Sequence, residues 1–326
     1  MEPNMTTNIT QGVLPDSAKE QTGRPCFLPG TSQALQLHFF HYSNFFLTPV
    51  TTLLGLWCFL SNGFVLIAIL RGGLRIRPGF LLLCSLTLTD VLWGGLVTPV
   101  YVRFRVAELL SGKVCSNRSD WDSPLMVMSF FLCLFSTLGN LAVMSVDRYL
   151  AVAKPMWYKT TVTKQHAMYA LSAVWLTSAA MVVLKQVYWF PLKALEFFDA
   201  CYIVFSCCAI IVVQLTTLVV LRKSNKVVAQ TMEGSARVNA LARNNTVEHQ
   251  LAVTTRHVVS FLALMILPVG FLVGLHISQI LPWNVTILVE PLFFPIATLC
   301  SCINAVLYYR GNPQIRDGII KLIKCQ

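Results

Sequence analysis

Charge is scarce in this chain. Only 12% of its 326 residues are Asp, Glu, Lys or Arg, where a soluble domain carries about a quarter. Acidic residues are the scarcer sign, 14 against 25 basic. The patterns that carry enzymatic or metal chemistry are missing as well. There is no Gly-rich phosphate loop, no Ser/His/Asp set, no pair of carboxylates, and no Cys/His spacing suited to zinc. An enzyme is therefore not expected. No internal repeat or low-complexity block stands out. The polar residues 1–46 hold no apolar core of a cleaved signal peptide, so the first apolar span is expected to begin insertion itself.

Hydrophobic residues fill the place of the missing charge, at 55% of the chain with a mean hydropathy of +0.63. Crossing a hydrocarbon core takes about 20 apolar residues. Seven stretches meet that length, near 47–70, 79–102, 124–147, 167–190, 198–221, 257–281 and 285–309. The expected fold class is an all-α membrane protein, a seven-transmembrane helix bundle with a short C-terminal amphipathic helix. Its parts are an extracellular glycosylated tail (1–46), the bundle (47–310), and the amphipathic helix with the C-terminus (311–326).

The loops give the orientation. Alternate labelling of the span ends puts 17 of the 25 basic residues on one side, among them Arg71, Arg148, Arg222 and Arg310. An excess of Lys and Arg marks the cytoplasmic side, so the N-terminus is expected outside a multi-pass plasma-membrane protein. The net charge of +11 is then mostly an orientation signal and calls for no nucleic-acid partner. Sequons at Asn4, Asn8, Asn117 and Asn284 fall on the outer side, whereas Asn244 falls inside. Most of the 11 cysteines lie in spans, where they serve as small apolar residues. Cys26, Cys115 and Cys201 are the outer disulfide candidates, with Cys115–Cys201 the preferred pair. Near the C-terminus Ile315, Ile319, Leu322 and Ile323 share one helix face, with Arg316, Asp317, Lys321 and Lys324 mostly elsewhere. That pattern reads as a helix lying on membrane lipids of the inner leaflet, with Cys325 a candidate for palmitoylation.

Residues Pro124 to Val146 contain no Asp, Glu, Lys or Arg, and then "DRY" follows. An arginine at the edge of hydrocarbon is costly and needs a reason. Taken in order, several landmarks supply one: Asn62 in "LSNGFVLI", Asp90 in "SLTLTDVLWG", Asp147-Arg148-Tyr149 before "LAVAKP", Trp175, Pro268, and Asn304 with Tyr308 in "NAVLY". Together they make the chain resemble the rhodopsin-like (class A) G-protein-coupled receptors over residues 47–325.

The resemblance implies a G-protein switch of Asp147, Arg148, Tyr149, Glu248 and Tyr308. In the closed state Arg148 would pair with Asp147 and with Glu248, and on opening it would meet a heterotrimeric G protein. Pro268 would be the hinge of span six, since it removes one helix hydrogen bond. Asp90 lies about 11 residues into its span, about 16 Å deep. By resemblance it would hold an allosteric sodium ion with Asn62, Thr137, Ser301 and Asn304, a set of oxygen donors suited to a hard cation; no other cofactor is required. The chain also departs from the family. Ile266 stands where a Trp is usual, Met265 where a Cys is common, Ala305 where a Pro follows the Asn, and Ser123 where a Cys tops span three. Span five has no Pro. The usual toggle and the family's outer disulfide are thus without their residues.

Family pocket positions carried onto spans two and three give Tyr101, Phe104, Val127, Phe130, Phe131 and Leu134. Those on spans six and seven give Val269, Val273, His276, Glu290, Phe293 and Phe294. The set is largely apolar and aromatic. Phe130 stands where amine receptors carry an Asp, and Thr298 where opsins carry the retinal lysine. The expected extracellular ligand is a lipid-like or small apolar molecule. A peptide is the alternative, with Glu290, Glu196, Asp199 and His276 as polar contacts. A non-signalling scavenger or dimer partner is a further alternative. A transporter is disfavoured, because only Asp90 is deeply charged.

Overall fold

The computed structural model describes residues 38–74, 77–111, 122–187, 193–231 and 283–324. Within them the chain is helical. The first helix, α1, runs His38–Arg71. Next comes α2, Pro78–Leu92, with Pro78 in its first turn, where the missing N–H costs nothing. A π-helical turn, Trp93–Val97, joins it to α3, Thr98–Ser111. Then follow α4, Asp122–Ala153; α5, Pro155–Thr161; α6, Lys164–Val187; and α7, Lys193–Thr231. The last two are α8, Trp283–Gly311, and α9, Pro313–Ile323.

Among the described residues, five helical segments are long and apolar enough to cross a membrane: Phe45–Arg71, Pro78–Ala107, Pro124–Ala153, Lys164–Leu184 and Cys201–Lys223. They overlap the first five expected spans. The 29-residue α8 covers the seventh. The expected sixth span, with Pro268, Val269, Val273 and His276, lies outside the described residues, as do Glu248, the sequon residues Asn4, Asn8 and Asn117, and Cys26, Cys115 and Cys325. Glu290, Phe293 and Asn284 fall on α8, but their side chains lie outside the described residues.

The distribution of polarity is inverted relative to a soluble protein. Trp57, Phe205, Leu215 and Val219 are exposed, while Asn62, Asp90, Asn140 and Ser136 are buried. An apolar exterior around a polar centre is what a hydrocarbon solvent selects. The chain is thus a multi-pass membrane protein. Among the described residues, core packing is dominated by two clusters. One, around Val65, Leu86, Met144 and Tyr308, lies toward the Arg148 end of the bundle. The other, around Trp93, Tyr101, Phe130 and Phe294, lies toward the opposite end.

The π-helical turn depends on glycine. An added Cβ on Gly94 would lie 2.6 Å from the Phe59 amide nitrogen and 2.7 Å from the Gly55 carbonyl oxygen. Only a bare backbone lets α1 pass that close. Thr98 donates its hydroxyl to the Trp93 carbonyl at 2.9 Å, adding a side-chain bond across the widened turn. Gly73, at φ 65, makes the reversal after α1 in the left-handed region.

Helix α9 departs from the expected lipid-facing stripe. Ile315 and Ile319 are buried in the cluster with α1, and a Cβ on Gly318 would sit 3.2 Å from Ala68 Cβ. Ile323 is exposed. A single residue, Asn312, separates α9 from α8, so the first turns of α9 are held against the bundle and only its far end turns outward.

Candidate functional site

The polar centre is built on α2. Asp90 is buried at 2% exposure. Asn304 of α8 donates its Nδ2–H to Asp90 Oδ2 at 3.0 Å, and Ser301 bonds the same carboxylate. Asn62 of α1 donates to the Ser301 carbonyl at 3.1 Å and to the Cys58 carbonyl at 3.0 Å. Four of the five expected residues, Asn62, Asp90, Ser301 and Asn304, are therefore joined, tying α1, α2 and α8. The fifth, Thr137, gives its hydroxyl to Thr89 at 3.2 Å, one residue from Asp90. Asn62 Oδ1 is buried without a hydrogen-bond partner among the described residues. A second chain of bonds runs beside this one. Trp175 donates to Ser85 Oγ at 2.9 Å, and Ser85 donates to Asn140 Oδ1 at 3.0 Å, so α6, α2 and α4 are linked through one hydroxyl.

At one end of the bundle Arg148 Nε lies 3.6 Å from Asp147 Oδ2. The expected pairing with Asp147 is present; the pairing with Glu248 falls outside the described residues. Tyr158, on the short helix α5, donates its hydroxyl to Asp147 Oδ1 at 2.6 Å. Burial first, and the neighbouring Asp147 carboxylate second, push the Tyr158 hydroxyl well above the ordinary tyrosine range. It stays protonated and remains a donor. Proline starts α5 at its first turn, and the reversal at Lys154 brings Tyr158 back to Asp147. The Arg148 guanidinium lies against the first turn of α2, where a Cβ on Gly79 would overlap Nη2. A cavity of about 550 Å³ opens here, lined among others by Gly79, Phe80, Arg148, Tyr158, Tyr308 and Asn312. Behind it Gln214 of α7 donates to Ser145 Oγ at 2.9 Å. Tyr149, beside Arg148, is half-buried.

Toward the other end, the expected pocket residues meet one another. The rings of Tyr101 and Phe294 stack at 3.6 Å and 7°. Trp93 stacks on Phe294 at 5.7 Å and tilts against Phe130 at 5.6 Å. Phe131 meets Phe130 edge-on at 5.3 Å. Val127 is buried, and Leu134 packs beside the cluster. Trp93 Nε1 donates to Thr298 Oγ1 at 3.1 Å, and Thr298 donates to the Phe294 carbonyl at 2.8 Å. Tyr101, Phe130 and Phe294 are thus ring packing first, which the apolar character of the expected set did not separate from cavity lining. Cys201 is an exposed free thiol; Cys115, its preferred partner, lies outside the described residues.

Three residues of consequence were not singled out from the sequence. Tyr158 and Trp93 are described above. Arg105, the third, is buried at 3% exposure, with its guanidinium carbon 5.1 Å from the Tyr101 ring centroid and 5.7 Å from that of Phe104. The available signal for Arg105 was its four-residue step from Tyr101.

Comparison with known proteins agrees with this geometry. The model of the family described as "7 transmembrane receptor (rhodopsin family)" matches residues 61–308. The 5-hydroxytryptamine receptor 1D of Oryctolagus cuniculus is 28% identical over 210 residues, which are 61% of this chain and 52% of that protein. The cannabinoid receptor 2 of Mus musculus is 32% identical over 139 residues, 42% of this chain and 38% of that protein. Dopamine receptor 4 of Caenorhabditis elegans is 28% identical over 134 residues, 40% of this chain and 24% of that protein. The chain spans about half the length, or less, of these curated relatives.

Proposed function

Because the chain belongs to the rhodopsin family of seven-transmembrane receptors, we propose that it converts binding of an extracellular ligand into activation of a heterotrimeric G protein. The family is a class of receptors and not of enzymes. The observation that carries the proposal is the cavity beside Arg148. It is lined at the mouth of the bundle by Arg148, by Tyr308 and by Tyr158, whose hydroxyl bonds the neighbouring Asp147. In this reading that mouth is cytoplasmic and the N-terminus lies outside, as the basic loops imply. Asp147 and Tyr158 hold Arg148 in the closed form, and Glu248 supplies the second carboxylate. Outward movement of span six about Pro268 would free Arg148 for the G protein. A ligand favours the open form only by its differential affinity for the two, about 1.4 kcal/mol per tenfold shift in their ratio.

Ligand class rests on the outer half. Two of the similar proteins are named for amines, but Phe130 here offers no carboxylate to an ammonium group. A lipid-like or small apolar ligand accords with the aromatic cluster; a peptide is the alternative. The central donors suit a sodium ion, since the Asp90 carboxylate and the Ser301 hydroxyl converge and Asn62 Oδ1 is a buried oxygen in want of a partner. Bound there, the ion would supply a fixed positive charge against the carboxylate. Sodium should then raise the melting temperature of the purified receptor, and Asp90→Asn should abolish that rise.

A G-protein dissociation assay over a broad ligand panel tests the function. Arg148→Ala should lose ligand-driven dissociation while ligand binding at the cell surface persists. Glu248→Ala should raise ligand-free dissociation. Dissociation that survives Arg148→Ala at full amplitude would overturn the proposed switch.

A further inference from the structure

The cavity beside Arg148 has a cationic rim over an apolar floor. Leu83, Met144 and Tyr308, buried members of the core cluster at this end, make the floor, with Leu307 half-buried beside them. The rim holds Arg77, the N-cap residue of α2, and Lys159 of α5, both exposed. No carboxylate stands among the described lining residues. Arg148 already has the Asp147 carboxylate at 3.6 Å, and in the reading above it also takes Glu248. No carboxylate is assigned to Arg77 or Lys159, so two positive charges remain at the rim, one from α2 and one from α5. The volume of about 550 Å³ falls within the about 300–1,000 Å³ usual for small-molecule sites. The cavity is present while Arg148 is still paired with Asp147.

We propose that this cavity is a second ligand site, open to the cytoplasm, for a phosphate monoester that carries an apolar body. The inference rests on the reading of this mouth as cytoplasmic. A phosphate monoester carries about −1.5 to −2 charge at neutral pH, which two cations match; a lone carboxylate would leave one of them unmatched. Arg77 offers a planar fork of donors to two phosphate oxygens, and Lys159 a point charge to the third. The body then leaves water for Leu83, Met144 and Leu307, a gain that inorganic phosphate does not have. Both halves are needed, because ion pairs at an exposed rim contribute little alone. An occupant that fits while Arg148 is paired favours the closed form by its differential affinity for that form. It therefore opposes entry of the G protein. A soluble aryl phosphate and an inner-leaflet phosphatidic acid share this chemistry, and the probes below separate them.

The test uses the full chain, purified into phosphatidylcholine discs. The soluble probe is naphthyl phosphate, set against naphthol, which lacks the charge, and inorganic phosphate, which lacks the apolar body. In equilibrium binding, naphthyl phosphate should exceed both by about tenfold or more. Arg77→Gln and Lys159→Gln should each weaken it by about fivefold. Arg222→Gln, at an exposed basic residue of α7 outside the cavity, should leave it unchanged. The lipid arm compares melting temperatures in discs that add phosphatidic acid, a monoester, with discs that add phosphatidylserine, an anionic diester. A rise with phosphatidic acid alone, lost in the Arg77→Gln/Lys159→Gln double variant, assigns the site to a lipid. Naphthyl phosphate binding without that rise assigns it to a soluble ligand. Absence of both effects overturns the inference. So does equal affinity for naphthol or inorganic phosphate, or full affinity in the double variant. If the double variant is not recovered, the two single variants decide in its place. Occupancy should also lower ligand-free G-protein dissociation. Binding that depends on Arg77 and Lys159 yet leaves dissociation unaltered upholds the site and refutes this mouth as the place where the G protein enters.

Discussion

Replacing Tyr158 with Phe removes a single hydroxyl and probes how Arg148 is held. That hydroxyl donates to Asp147 Oδ1 at 2.6 Å, and the other carboxylate oxygen lies 3.6 Å from Arg148 Nε. Asp147 is 7% exposed, so water replaces a lost partner poorly. A hydrogen bond to a charged group contributes about 1.5–3 kcal/mol. Tyr158 is half-buried, which favours the lower figure. A loss of about 1.5 kcal/mol from the closed form shifts the closed-to-open ratio about tenfold. An open population of about 1% would then rise to about 10%. Ligand-free G-protein dissociation, normalised to receptor number, should increase accordingly. The melting temperature of the purified receptor should fall by about 3–6 °C, at about 2–4 °C per kcal/mol.

The pH dependence gives a second handle on the same bond. The Tyr158 hydroxyl titrates well above the tyrosine range in the folded protein, whereas in the unfolded chain it titrates near about pH 10. Between those values the unfolded state has lost the proton and the folded state keeps it. Stability from this group is therefore fully present below about pH 10 and declines as pH rises further. The gap in melting temperature between wild type and Tyr158→Phe should stay flat from about pH 6 to about pH 10 and close above that. An unchanged melting temperature together with unchanged ligand-free activity would refute the assigned role of the hydroxyl.

Three further substitutions follow from the packing. Gly79→Ala places a methyl group on the Arg148 guanidinium; the end of a flexible side chain yields, so surface expression should hold while ligand-free activity rises, and unaltered activity would count against the contact. Gly94→Ala drives a methyl group into the backbone of α1 at Phe59 and Gly55 and should abolish surface expression. Gly63→Ala, which meets nothing within 4 Å, should instead gain about 0.5–1 kcal/mol from reduced chain entropy; equal behaviour of the two variants in a thermal assay would reject the close approach at the π-helical turn. Trp93→Phe keeps the ring stack and loses the bond to Thr298, a cost of about 1 kcal/mol, and a double-mutant cycle with Thr298→Val should show that much coupling; strict additivity would reject the bond.

The six expected spans that fall within the described residues were legible because the hydrocarbon core imposes a length and an absence of charge that the sequence cannot hide. Asp90 and Asn304 were legible as residues, and their pairing through the family likeness, although 214 positions separate them. Other features leave almost no local trace. Tyr158 sits in "MWYKTT", which reads as a short inner loop; its bond to Asp147 depends on the reversal at Lys154. The π-helical turn has only the Gly94-Gly95 pair as a hint, and two glycines in an apolar run have many meanings. Arg105 gave no signal of its own because the second expected span ends at residue 102. The helix continues to Ser111, so Arg105 stays in register with Tyr101 and faces inward.

The departures from the family pattern bear on which helix carries the signal. Span six lacks the aromatic toggle usual at position 266, so the ring that commonly senses the ligand is absent there. The structure supplies a large indole elsewhere: Trp93, on the π-helical turn, touches Phe130 of α4 and Phe294 of α8 and bonds to Thr298. Helix α8 then carries Phe294, Thr298, Ser301, Asn304 and Tyr308 at steps of three and four, all on one face. That face meets the outer rings first, then the Asp90 carboxylate, then the cavity beside Arg148. A packed helix moves as a unit, and its contacts have discrete arrangements rather than a continuum. A small rotation of α8 would therefore change its outer, central and inner contacts together. The bare glycines of the π-helical turn let α1 back this assembly closely, which gives Trp93 a fixed support against which α8 can shift.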